Sequence, residues 1–190
     1  MRNVILLMHV SLDGFVAPPD GSLEWAKMDD GLTNDVDALI ATTDTAIYGR
    51  YTYEGMRDYW TTVPSNPDAT PHERHHASWV EQATKLVFST TLESADWNNS
   101  RLIKDNITEE ITKLKGQAGK SMMIFGSPRL THTFMALDLI DEYRLMINPI
   151  LLGGGTPLYK AGYHRTPLKL TYSKTYDCGV IGVHYMVNRG

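Results

Sequence analysis

The chain has 190 residues, 42% of them apolar, and a formal net charge of −4 at neutral pH. That length suits one domain with a sizeable core, and an acidic balance without a basic stripe argues against a protein built mainly to bind nucleic acid. Cys178 is the sole cysteine, which excludes an internal disulfide, and the apolar stretch 4–10 is too short for a bilayer and lacks an export signal's features, so a cytoplasmic domain is expected.

The run Val4-Ile5-Leu6-Leu7-Met8 does not alternate, which predicts a strand covered on both faces. Residues 32–42 place Leu32, Val36, Leu39 and Ile40 at helical spacing. Thr45-Ala46-Ile47-Tyr48 is a short strand ending at Gly49, and a helix follows over 51–59. Residues 64–71, rich in Pro, Asn, Ser and Asp, read as a surface loop. Lys85-Leu86-Val87-Phe88 is a strand running into Ser89-Thr90-Thr91, and Leu102-Ile103 is a weaker one. Residues 108–115 form a helix with Thr108 as N-cap and Glu109 and Glu110 in the first turn.

Ser121-Met122-Met123-Ile124-Phe125 reads as a buried strand, followed by a helix over 129–137. Residues 142–152 form a long strand in which Tyr143, Leu145 and Ile147 alternate with Glu142, Arg144 and Met146, with a bend at Pro149. Residues 168–176 and 180–187 make a hairpin turning near Asp177-Cys178-Gly179. Strands alternating with helices indicate a single α/β domain over 1–190, built on a mixed, mostly parallel sheet flanked by helices and finished by antiparallel strands.

The turn Phe125-Gly126-Ser127-Pro128-Arg129-Leu130 carries the first chemical signal. A strand, a glycine turn and a helix start make an anion site, because the first N–H groups of a helix have no internal partner. Pro128 suits a first helical position, where its missing N–H would be unpaired anyway. Three more polar clusters leave strand ends: Ser11-Leu12-Asp13-Gly14, Gly49-Arg50-Tyr51-Thr52 and Ser89-Thr90-Thr91. In a parallel sheet these ends share one edge, where ligands bind, although solvent exposure alone also favours polar turns. Gly49 permits close backbone approach, and Thr52 offers a hydroxyl and a helix cap. Arg50 with Ser89 and Thr90 suits a 2′-phosphate, and the Ser89 cluster has no acid to grip a bare ribose, so NADP(H) is expected over NAD.

Four stretches carry a family resemblance: residues 10–25 (V-S-L-D-G-F-V-A-P-P-D-G-S-L-E-W), 48–55 (Y-G-R-Y-T-Y-E-G), 125–130 (F-G-S-P-R-L) and 139–159, which contains L-I-D-E-Y-R-L-M-I-N-P-I-L-L-G-G-G-T-P-L-Y. The chain resembles the dihydrofolate reductase-like family, in the branch shared with the reductase domain of bacterial riboflavin biosynthesis proteins. The resemblance implies a mixed sheet of eight or nine strands flanked by helices, NADPH along the strand ends, a small-molecule substrate and a homodimer. It places Arg50 and Thr52, within the loop Gly49 to Thr52, near the adenosine phosphates, and Ser89 and Thr90 beside the 2′-phosphate. Gly126 to Leu130 match the pyrophosphate turn, Val16 and Ala17 the loop over the nicotinamide, and Asp13 the segment facing the substrate. Dihydrofolate reductases carry a buried carboxylate on the first helix, whereas Asp35 and Asp37 here have no clear match.

Hydride transfer needs a proton source, and Asp13 is the first candidate, because desolvation in a crevice would raise its pKa. An Asx-turn role at the Asp13-Gly14 bend is its structural alternative. Glu24 is a weaker acid candidate, and Trp25 offers a flat surface for a heterocycle. His72, His75 and His76 have a spacing compatible with a metal but lie at what reads as a solvated helix start. Gly153-Gly154-Gly155 lacks the lysine of a P-loop and follows an antiparallel-looking strand, so close packing or a flexible turn fits better. Cys178 has no evident base. An NADPH-dependent reductase of a small heterocycle is therefore expected; an NADP(H)-binding protein without turnover, a sensor or structural dimer, is the alternative.

Overall fold

In the computed structural model, which describes residues 1–189, the first apolar run becomes β1 (Val4–Ser11), followed by β2 (Phe15–Ala17), α1 (Asp30–Ile40), β3 (Thr43–Gly49) and α2 (Arg50–Trp60). A 3-10 turn at Val63–Ser65 leads to α3 (Pro71–Gln82), β4 (Thr84–Phe88), β5 (Ser100–Ile103), α4 (Ile107–Lys115), β6 (Ser121–Phe125) and α5 (Pro128–Ala136). The chain ends with β7 (Glu142–Asn148), β8 (Thr156–Pro157), β9 (Leu168–Thr175) and β10 (Ile181–Val187).

Eight strands form one sheet in the order β5-β4-β3-β6-β1-β7-β10-β9. The first six are parallel, and β10 and β9 add antiparallel. This is the α/β architecture that alternating strands and helices predict. β1 lies in the middle with helices on both sides, which accounts for its unbroken apolar run. Val4, Leu6, Met8 and Val10 face the side carrying Ile111 and Leu114 of α4 and Leu130 and Phe134 of α5. Ile5 shares the other side with Leu39 and Ile40 of α1, Tyr53 of α2 and Val80 of α3.

Several expectations are corrected. β7 stops at Asn148, before Pro149, and runs parallel to β1; only its other neighbour, β10, is antiparallel. Its polar positions do not mark a solvent face, because both sides are covered and Glu142 pairs with Arg144. The N-cap of α4 is Asn106, in the left-handed region at φ 52°, rather than Thr108. The region after the Pro-rich loop is a full twelve-residue helix, α3, held by a capping box between Thr70 and Glu73. A small second sheet pairs β2 with β8 and folds the segment after β1 against the triple-glycine loop.

Candidate functional site

The carboxyl ends of β3, β4, β5 and β6 open into one groove of about 580 Å³. Gly49, Arg50, Tyr51 and Thr52 line it from the start of α2, Ser89 and Thr90 from the end of β4, and Ser127, Pro128, Arg129 and Leu130 from the start of α5. Three of the four clusters expected to converge do so. Lys104, which follows β5, joins them and lies outside the sequence-based expectations, although the same strand-end rule reaches it. Thr91, Thr133 and Thr156 complete the polar lining.

Two helix N-termini face this groove, and neither is closed by a side chain. Gly49 is the N-cap residue of α2 and makes no side-chain cap, so Thr52 lies inside the helix and does not cap it. Ser127 is the N-cap residue of α5, again without a side-chain cap, and Pro128 occupies the first turn. Gly126 and Ser127 are both left-handed, at φ 54° and 49°. Glycine takes that conformation freely; a serine held there stores strain of order 1 kcal/mol. What holds it is local: Ser127 O accepts Thr131 N–H at 2.9 Å, and Ser127 Oγ accepts Gly49 N–H at 3.0 Å. Gly49 itself has an ordinary φ of −83°, and a Cβ there would meet Leu130 Cβ at 3.6 Å, so the fold does not demand glycine.

The lining carries three cations, Arg50, Lys104 and Arg129, and no carboxylate. The guanidinium carbons of Arg50 and Arg129 lie 4.4 and 5.9 Å from the Tyr51 ring centre, which gathers both charges at the mouth. Ser89 Oγ accepts the N–H groups of Thr91 and Leu92, at 3.2 and 3.0 Å, and shapes the β4 turn.

Other expected residues lie elsewhere. The Phe125 side chain is core, 5.4 Å from Trp79 and 5.9 Å from Tyr48 between ring centres. Val16 is buried in the α4–α5 side of the core, while Ala17 reaches the groove's edge by pairing with Thr156. Trp25 is half-buried outside the groove and donates Nε1–H to Ser22 O at 3.1 Å. Glu24 is exposed.

Asp13 departs most from expectation. Its Oδ1 accepts from Ser11 Oγ at 2.6 Å and from Leu152 N–H at 3.1 Å, and its Oδ2 accepts Gly153 N–H at 2.7 Å. The Ser11 hydroxyl, with the backbone N–H groups, holds the carboxyl below its ordinary range, opposite to the shift a general acid needs. The carboxylate instead fastens the triple-glycine loop to the β1–β2 turn. Gly155 shows how tight this join is: a Cβ there would stand 2.0 Å from Ala17 O. Close backbone packing, one of the two expectations for this loop, therefore describes it.

Two carboxylates of α1, Asp35 and Asp37, are also occupied. Asp35 accepts from Tyr176 Oη at 2.7 Å and Lys174 Nζ at 2.9 Å; burial pushes its pKa up, but these partners hold it below the usual range. Asp37 pairs with His72 Nδ1 at 2.8 Å. His76, expected at a solvated helix start, is buried and stacks on Trp60 at 4.1 Å, and the described residues contain no His, Cys, Asp or Glu cluster shaped for a metal. The N–H of Cys178 donates to Asp29 Oδ2 at 2.8 Å, a turn role.

The RibD C-terminal domain family profile matches residues 2–182. The uncharacterized protein YyaP of Bacillus subtilis (strain 168) is 36% identical over 98% of this chain and 96% of its own. A putative riboflavin biosynthesis protein from Shewanella sp. PV-4 superposes with a TM-score of 0.72 at 23% identity, over 99% of this chain and all of that one. Dihydrofolate reductase from Enterococcus faecalis, solved in complex with NADP(H), superposes with a TM-score of 0.62 at 16% identity, over 98% and 96% of the two chains.

Proposed function

The chain belongs to the RibD C-terminal domain family, and on that premise we propose that it is an NADPH-dependent reductase of a small heterocycle, of the pterin or ribosylaminopyrimidine kind. The observation that carries the proposal is the charge of the groove. Arg50, Lys104 and Arg129 line it without a carboxylate, beside two uncapped helix N-termini, in a chain of net charge −4. Such a groove favours a ligand with several phosphates.

The residues fit NADPH in a defined order. Arg129 and Leu130 N–H groups at the start of α5, with those at the start of α2, would hold the pyrophosphate. Arg50, Ser89, Thr90 and Lys104 would hold the 2′-phosphate, through a guanidinium fork, hydroxyl donors and a point charge. When bound, NADPH supplies the hydride. The chain's own part is to orient and to exclude water. The β2–β8 pair, fastened by Asp13, forms a cover at the end of the groove where Thr156 lies.

The test is NADPH consumption by the purified chain against dihydropterins, ribosylaminopyrimidines and dicarbonyls. We expect turnover of at least one compound, with NADPH preferred over NADH. Tight NADPH binding without turnover across the panel would favour a nucleotide-binding protein acting as a sensor or structural dimer. The occupied carboxylates of α1, Asp35 and Asp37, favour that second reading. Failure to bind either nucleotide would remove both.

A further inference from the structure

β1 outruns one of its neighbours. Its pairing with β6 ends at Leu7 and Phe125, where Gly126 N–H donates to Leu7 O at 3.2 Å. Its pairing with β7 continues to Ser11 and Asn148. His9 therefore stands two residues past the last β6 contact, roughly 7 Å along the strand. That is the next stretch of sheet edge after the phosphate-binding turn, just before the chain enters β2. Strand alternation puts its side chain on the face of Leu7, and its β7 partner is Met146, which packs on Leu32 of α1.

The imidazole is held at one nitrogen only. Asn148, fully buried, donates Nδ2–H to His9 Nδ1 at 3.1 Å and to Met146 O at 2.9 Å, while its Oδ1 accepts Lys27 N–H at 2.8 Å. A backbone N–H can only donate, so Lys27 determines which end of the amide is oxygen. The amide nitrogen then faces the ring, Nδ1 must be an acceptor, and the ring proton sits on Nε2. Burial lowers the imidazole pKa to about 4, so the ring is neutral at pH 7. Nε2 has no partner among the described residues and is not sealed from solvent. A histidine locked from behind, with one N–H left open at the sheet edge next to β6, whose end helps line the groove, is arranged to meet a ligand.

We propose that His9 binds the reducible compound directly, its Nε2–H donating a hydrogen bond to a carbonyl oxygen or ring nitrogen next to the carbon that accepts hydride. Asn148 is the positioning residue that sets the donor. The inference rests on the reductase assignment above and narrows its substrate: the atom facing His9 must be an acceptor. His9 keeps its proton throughout, orienting and polarising the acceptor, and water provides the proton that completes the reduction.

The test uses the full chain labelled with 15N-histidine at neutral pH, the His9 signal being the one lost in His9→Leu. The expected state is the neutral Nε2–H tautomer. Its signal moves when NADP+ binds and stays in place with 2′-phospho-ADP-ribose, which fills the phosphate groove but lacks nicotinamide. Equal responses to the two nucleotides, an unmoved signal with NADP+ bound, or a proton on Nδ1 would each overturn the inference. His9→Leu should leave NADP+ affinity within about threefold and lower kcat/KM for the best compound of the panel roughly 10- to 100-fold, as loss of a buried hydrogen bond does. His9→Gln, which keeps an N–H donor, should recover part of that loss; unchanged kcat/KM in His9→Leu also overturns the inference. If neither nucleotide binds, or no compound is turned over, the reductase assignment fails first and the inference falls with it. Normal NADPH turnover in His9→Leu removes the inference alone.

Discussion

Ser127 Oγ accepts the backbone N–H of Gly49 at 3.0 Å, joining the turn after β3 to the turn after β6 across 78 residues of sequence. The two helix N-termini that face the groove are set relative to each other by this contact. Ser127 also holds a left-handed backbone at φ 49° to make it. Ser127→Ala should lower unfolding free energy by about 1–2 kcal/mol, the cost of a half-buried N–H left unpaired, and weaken NADPH binding roughly tenfold. Ser127→Gly relieves the backbone but not the lost hydroxyl, so stability should partly recover while affinity stays low. Urea unfolding and NADPH titration of the two variants check this; an alanine variant that binds NADPH like the wild type would sink it.

Arg50 and Lys104 reach the groove from strands two places apart, Arg50 starting α2 after β3 and Lys104 following β5, with the Ser89 turn of β4 between them. Arg50→Ala should raise the Kd for NADPH about 10- to 100-fold and leave NADH nearly unchanged, because a charge-assisted pair is worth about 1.5–3 kcal/mol. Lys104→Ala should act in the same direction more weakly, as a point charge without a fork. Added salt should weaken NADPH more than NADH in the wild type. Equal losses for both nucleotides in Arg50→Ala would contradict the 2′-phosphate assignment.

The groove was legible because its strands announce their ends: apolar runs stop at Gly49, Ser89 and Gly126. β5 does not, since Arg101 interrupts it and only Leu102 and Ile103 are apolar, so the sequence does not point to Lys104. Only the start of α3 is legible, for a related reason. Its buried residues are His76, Ala77 and Val80, and a buried histidine looks polar in sequence. The parallel direction of β7 was masked by Glu142 and Arg144, which alternate like a solvent face but satisfy each other. Crevice burial alone would raise the Asp13 pKa; the Ser11 hydroxyl two residues away and the Leu152–Gly153 backbone, 139 and 140 residues away, reverse the direction, and the sequence does not show that these groups converge on it. Residue types named the ligand chemistry; only tertiary pairing shows which polar groups remain free for it.

Asp13 should behave as a fastener. In Asp13→Ala the amides of Leu152 and Gly153 lose their acceptor, so their hydrogen exchange should speed up at least tenfold while β1 and β7 stay protected. NADPH affinity should change little, and kcat should fall as the β2–β8 cover loosens. Asp13→Asn, which keeps an oxygen acceptor but not both, should lie between. The lowered pKa puts the carboxylate's contribution above its unfolded pKa, and the fastening is lost as pH falls through the folded value. A variant with unaltered exchange in the loop would rule out the role.

Acid should unfold the chain partly through His76. The ring stacks on Trp60 at 4.1 Å and makes edge contacts with Trp79 and Phe125, at 5.6 and 5.8 Å. Burial, reinforced by His72, lowers its pKa from 6.5 to about 4. A histidine harder to protonate folded than unfolded contributes full stability above pH 6.5, and that contribution declines as pH falls towards 4. At pH 5 the loss from this one group is about 2 kcal/mol relative to pH 7. His76→Phe keeps an aromatic ring against Trp60 but cannot take a proton. Between pH 7 and pH 5 it should therefore lose about 2 kcal/mol less stability than the wild type in urea unfolding. His9, lowered to about 4 by burial, adds a parallel loss that His76→Phe leaves in place, so the variant's profile should flatten without becoming level. Identical slopes for the two proteins would show that His76 is protonated as easily folded as unfolded, against its burial.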